Sequence, residues 1–130
     1  MRGGKPMSDI PNNSGFHVRA DTRGRCTTLH ATGALDYGSS PLLKEQTDAA
    51  LEAMDHPRLV IDLTEVTFCD STGYGVLMYA LTHVRRLAGS LILVGTSAIM
   101  RQRLNRLGVG ELFDTRSTVE EAINAFPATG

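Results

Sequence analysis

Tryptophan is absent and aromatic residues make up only 5% of the chain. That excludes an aromatic platform on which nucleic-acid bases would stack. The chain has no large excess of either charge: the formal net charge is -1. No basic field points to direct nucleic-acid binding or to an anionic membrane surface. No apolar run approaches the roughly 20 residues that span a bilayer. Arg2 and Lys5 precede no apolar segment, so the start of the chain does not read as a secretory signal. Two cysteines, Cys26 and Cys69, are too few for a disulfide framework, and neither lies in a C-x-x-C pair. Both read as reduced thiols of a cytoplasmic protein. Cys69, which follows an apolar strand, reads as a small buried hydrophobe.

Signatures of catalysis and cofactor binding are also missing. The chain has neither a G-x-x-x-x-G-K-[ST] phosphate loop nor a G-x-G-x-x-G turn after a strand. Cys69-Asp-Ser-Thr-Gly lacks the first glycine of a G-x-S-x-G nucleophile elbow. A serine nucleophile needs a base within hydrogen-bond reach. His17, His30, His56 and His83 are scattered, and His83 lies roughly 18 Å along a helix from Ser71 at 1.5 Å per residue. Histidines and cysteines have no metal-ligand spacing. The expectation is a protein that is not an enzyme and holds no metal or cofactor.

What is present is 130 residues with 42% hydrophobic and 21% charged residues, enough for one globular domain. Residues 1–15 are rich in Gly, Pro, Asn and Ser without a hydrophobic period and read as a disordered tail; the domain occupies 16–130. Phe16–Asp21 and Cys26–Gly33 form an expected hairpin around Gly24. Ser40-Pro41 starts a helix, with Ser40 as N-cap, that Pro57 stops. Leu59–Leu63, apolar except for Asp62, reads as a central strand buried on both faces. A second helix spans about Thr72 to Ala88 with Gly89 at C′. Ser90–Gly95 is a further strand. Ser97–Leu107 is a short helix with Ile99, Met100, Leu104 and Leu107 inward. Leu112-Phe113 is a short strand, and Ser117-Thr-Val-Glu120 is a capping box for a last helix through Phe126. The order β-β-α-β-α-β-α-β-α predicts an α/β fold: a mixed, mostly parallel sheet of about five strands with about four helices.

The candidate site is the junction Asp70-Ser71-Thr72-Gly73, where a strand turns into a helix. A hydroxyl there faces free backbone N–H groups and the positive helix end, which suits an N-cap and suits a phosphate. Two capping residues followed by Thr72 exceed what one helix needs, and Asp70 and Ser71 are equally able to be the cap. Gly73 and Gly75 are costly in a first turn but leave the backbone open to a close-approaching partner. Thr72 reads as a second acceptor or as an ordinary first-turn residue. Met78 and Tyr79, on the outer helix face, read as partner contacts or as scattered exposed residues. Arg101, Arg103 and Arg106 read as a solvated face.

Leu59-Val-Ile-Asp-Leu-Thr-Glu-Val-Thr-Phe-Cys-Asp-Ser-Thr-Gly resembles the central motif of STAS domains, specifically the bacterial anti-sigma factor antagonists. Gly33-Ala-Leu-Asp36 resembles the family's Gly-Glu-[Leu/Ile]-Asp turn, with Ala34 standing where the family has Glu. Gly89-Ser-Leu-Ile-Leu-Val and Arg103-Leu-Asn-Arg-Leu-Gly-Val-Gly-Glu-Leu-Phe resemble its later segments, so the likeness covers about Phe16 to Phe126. The resemblance implies that Ser71 is a phosphorylation site. It implies an anti-sigma factor with serine kinase activity that binds the unmodified chain and releases it when phosphorylated. A serine phosphatase would reset the switch. Asp36, Asp70, Ser71, Thr72, Gly73, Tyr74 and Met78 are the implied partner-binding residues, and a weak homodimer is compatible with the family. Two rival readings stand beside it: a STAS scaffold subunit of a larger stress-signalling or lipid-transport assembly, and a hydrolase using Ser71.

Overall fold

The computed structural model describes residues 15–126. The tail expected over 1–15 therefore lies, apart from Gly15, outside the described residues. Five strands make one sheet in the order β1-β2-β3-β4-β5. They are β1 (His17–Arg23), β2 (Cys26–Leu35), β3 (Arg58–Cys69), β4 (Ser90–Val94) and β5 (Asp114–Arg116). β1 runs antiparallel to β2, and every later pair is parallel. The helices are α1 (Ser40–Glu52), α2 (Ser71–Arg86), α3 (Ala98–Arg106) and α4 (Val119–Ala125). This is the mixed, mostly parallel α/β sheet that the alternating pattern predicted.

The layering follows from chain order. Consecutive parallel strands advance in one direction across the sheet, so right-handed crossovers place their connecting helices on one face. α1, α2 and α3 accordingly share a core with β3 residues Leu59, Ile61 and Leu63. The opposite face of the same strand offers Val60 to α4, where Ala122 and Phe126 close a second, smaller core with Ile92 and Val94. β3 is thus apolar on both faces because both are covered.

Several local boundaries differ from expectation by one or two residues. Ser39, not Ser40, precedes α1, and its Oγ is drawn away from the helix to accept from Asp36 N at 2.9 Å. Thr118, not Ser117, caps α4 by accepting from Glu121 N. The Ser-Thr-Val-Glu-Glu run allowed either frame. The last strand begins at Asp114 rather than Leu112. A 3₁₀ turn over Gly110–Leu112 first tucks Phe113 into the core. α2 ends at Arg86 in a Schellman arrangement. Gly89 N donates to Val84 O at 2.9 Å and Ala88 N to Arg85 O at 3.1 Å. The left-handed C′ position is therefore Ala88, at φ 57, and not Gly89. Gly89 is needed for another reason: a Cβ there would lie 2.3 Å from Pro57 O.

Candidate functional site

β2 and β3 run beyond the other strands and remain paired out to Leu35↔Cys69, after β4 has ended opposite Asp62. This two-stranded extension carries the β2–α1 loop and the N-terminus of α2 side by side. The carboxyl ends of parallel strands are where α/β folds place binding surfaces.

Asp70 joins the two segments. It is the N-cap of α2, in extended conformation, and its Oδ1 accepts from Gly73 N at 3.0 Å. The same oxygen accepts from the Thr72 hydroxyl at 2.5 Å. Its Oδ2 accepts from Tyr37 N at 3.1 Å, and its own N–H donates to Leu35 O at 3.1 Å. The Thr72 hydroxyl and the backbone N–H donors hold the Asp70 carboxyl below the usual carboxylate range, against a smaller upward effect of burial.

With Asp70 as cap, Ser71 occupies the first helical position. It is exposed, and its hydroxyl makes no hydrogen bond among the described residues. The neighbouring Thr72 hydroxyl is committed to Asp70. Asp36 lies in the adjoining loop, and its Oδ1 accepts from Gly38 N and Ser39 N at 3.0 and 3.1 Å. Its carboxylate therefore shapes the turn that brings Tyr37 to Asp70.

Gly73 and Tyr74 turn inward. A Cβ on Gly73 would meet Cys69 Sγ at 2.7 Å and Leu35 O at 2.9 Å, so the glycine allows close helix–strand packing. This corrects the expectation that Gly73 leaves an open surface; Gly75, with nothing within 4 Å, is the glycine that does. Tyr74 is 4% exposed. Met78 is half-buried and packs on the core margin. Tyr79 is not a free outer residue: its hydroxyl donates to Asp48 Oδ1, and Lys44 Nζ sits 4.4 Å from its ring centre. Burial, and then the Asp70 charge, push the Cys69 thiol up to about 12, which leaves it protonated and unreactive at neutral pH.

The neighbourhood of Ser71 holds residues that periodicity misassigned. Ile99 and Leu107, expected inward on α3, are 60% and 59% exposed, while Met100 and Leu104 alone turn into the core. One short helix meets the sheet along a narrow line, so only one i, i+4 pair is covered. Phe68 (55% exposed) and Tyr37 (80%) add to the apolar surface. Phe68 lies on the part of β3 that β4 does not reach, which no pattern in the chain signals. Two hollows open here. One of about 170 Å³ is lined by Phe68, Cys69, Tyr74, Ile99 and Arg103 among others. The other, about 370 Å³, is lined by Ser71, Tyr74, Arg103, Arg106 and Leu107. Among the described residues no group of three or more His, Cys, Asp or Glu is placed to hold a metal, and no helix is long and apolar enough to cross a membrane.

The chain is thus an α/β domain with a polar loop and an exposed serine side by side at the exposed end of its β2–β3 extension. The family model for the STAS domain matches residues 17–122, and the chain belongs to the STAS domain family. Particular relatives narrow the likeness. The anti-sigma-B factor antagonist of Listeria monocytogenes is 28% identical over 93 residues, covering 72% of this chain and 81% of that one. The crystal structure of an anti-sigma factor antagonist from Mycobacterium paratuberculosis superposes with TM-score 0.75 at 22% identity, over 87% of this chain and 95% of that one. The Bacillus cell fate determinant SpoIIAA in its phosphorylated form superposes with TM-score 0.66 at 22% identity, over 83% and 97%. The two structural likenesses establish the shared fold.

Proposed function

We propose that this protein is an anti-sigma factor antagonist of the partner-switching kind. Unmodified, it binds an anti-sigma factor with serine kinase activity and so frees the sigma factor which that protein holds. Phosphorylation of Ser71 by the same kinase ends the interaction, and a serine phosphatase restores it. The chain acts as substrate and binding module, with no catalytic role of its own. The observation that carries the reading is the state of Ser71. It is the one hydroxyl of the junction that is exposed and unbonded, while Asp70 supplies the cap and holds Thr72.

The physics is consistent. A phosphate adds about -1.5 to -2 charges at pH 7. At the first position of α2 the helix's positive end tolerates that charge within the chain. Against a partner surface the same charge, next to ionised Asp70, must be desolvated and repels acidic groups. No refolding is required, only a changed surface. The phosphorylated solved relative and the antagonist relative support the reading. Asp36, Asp70, Ser71, Thr72 and the half-buried Met78 form the proposed partner surface, and Gly73 and Tyr74, turned inward, pack the junction beneath it.

The test mixes the protein with its cognate kinase and ATP and maps the modification by phosphopeptide mass spectrometry. Ser71→Ala abolishes modification, and Ser71→Glu weakens kinase binding. Undiminished modification of Ser71→Ala at another residue overturns the site.

A further inference from the structure

The larger hollow beside Ser71 carries two cations that the proposed switch has not used. Arg103 and Arg106 are three residues apart on α3 and therefore share a helix face. Both line the same hollow of about 370 Å³ as Ser71. The ion pairs among the described residues are Arg23–Asp21, His30–Asp62, Lys44–Asp48 and Arg116–Asp114, and none engages Arg103 or Arg106. Arg101, their neighbour on α3, is instead held by Thr96 O at 2.6 Å. α3 contains no acidic residue to balance its three arginines. A position in the last turn of α3 suits any cation, through the helix dipole. It does not explain why these two open onto a serine of another helix.

A second observation places Arg103 close to the junction. Burial pushes the Cys69 thiol and the Tyr74 phenol up, and the Arg103 charge is near enough to pull both back. A phosphate on Ser71 would also sit beside the ionised Asp70, a like-charge neighbour that needs an offset. Guanidinium groups supply paired N–H donors that match phosphate oxygens.

We propose that Arg103 and Arg106 of α3 form an intramolecular receptor for a phosphate carried by Ser71. The proposal rests on the reading that Ser71 is the modified residue. It adds a consequence: the modification neutralises two cations that the unmodified chain presents to its partner. One phosphate thus alters the α2 and α3 sides of the surface together.

The test installs phosphoserine at position 71 during translation, so no kinase is involved, and follows the phosphate by ³¹P NMR titration. Free phosphoserine takes its second ionisation near pH ~6. Cationic partners favour the dianion, so the midpoint in the otherwise wild-type chain falls about 0.5–1 pH unit below that in R103Q/R106Q. The helix terminus and Asp70 act equally in both, and R101Q keeps the wild-type midpoint. A readout without substitution is the pair of arginine Nε–Hε resonances, which shift on modification for Arg103 and Arg106. Superimposable titrations with unmoved arginine resonances overturn the receptor. Failure of the kinase to modify Ser71 would overturn the earlier reading and leave this titration unaffected.

Discussion

Gly73→Ala and Gly75→Ala should change stability in opposite directions, although the two sites are two residues apart on α2. In an open helix interior, replacing Gly with Ala gains about 1 kcal/mol. At Gly75 nothing lies within 4 Å of the added Cβ, so Gly75→Ala collects that gain. At Gly73 the added Cβ lies 2.7 Å from Cys69 Sγ, 2.9 Å from Leu35 Cγ and 2.9 Å from Leu35 O. The carbonyl cannot yield cheaply, because it accepts from Asp70 N at 3.1 Å. Moving α2 outward instead would stretch the Asp70–Gly73 cap bond. Overpacking of this kind costs about 1–3 kcal/mol, and a fixed backbone atom puts it in the upper part of that range. Less the propensity gain, Gly73→Ala destabilises by about 1–2 kcal/mol. Urea unfolding read at constant m resolves such differences as shifts in midpoint. Cys69→Ala removes one of the three contacts, so the double variant Gly73→Ala/Cys69→Ala recovers part of the loss, a coupling of about 0.5–1 kcal/mol. If Gly73→Ala is as stable as wild type, the close-packing account of this glycine is wrong.

Three further outcomes follow from the same geometry. Ala88 holds the left-handed C′ position of α2 at φ 57, so Ala88→Gly should raise the urea midpoint by the equivalent of about 0.5–1 kcal/mol. Thr47 is fully buried on α1, and its Oγ1 has no hydrogen-bond partner among the described residues. Thr47→Val removes that unsatisfied group and should stabilise by about 1 kcal/mol in thermal unfolding. Acid should weaken the fold through two carboxylates. Asp70 is held low first by the Thr72 hydroxyl. At Asp62 burial pushes upward, and hydrogen bonds from Thr64 and His30 outweigh it. Both folded values lie below the unfolded value of ~3.9. Their contribution is therefore present above that pH and is lost as pH falls through the folded values. Unfolding midpoints measured from pH 6 to pH 2 should fall less steeply in Asp70→Asn and Asp62→Asn than in wild type.

The alternation of strands and helices, the parallel sheet and the strand-to-helix junction at Asp70–Gly73 were legible in the chain, because periodicity and the capping residues act over a few positions; Pro57 does not set the end of α1, which stops earlier, at Glu52. Leu59–Leu63 read as a strand buried on both faces, and the α1–α3 layer and α4 cover those two faces. The choice between Asp70 and Ser71 as cap was not legible, since both residue types suit the position. The backbone conformation at Asp70 settled it and left the Ser71 hydroxyl unbonded.

Other features depend on where strands stop and helices land. Tyr37 meets Asp70 across 33 positions because β2 and β3 stay paired to their last residues. Phe68 and Ile99 are exposed because β4 ends early and α3 touches the sheet along one line. Arg103 and Arg106, which read along the chain as a solvated stripe, open onto the hollow of Ser71 only once the β4–α3 crossover has brought α3 beside the N-terminus of α2. Local sequence determined which segments form and which hydroxyl-rich turn joins them. Register and crossover, properties of the assembled sheet, decided which side chains surround that turn.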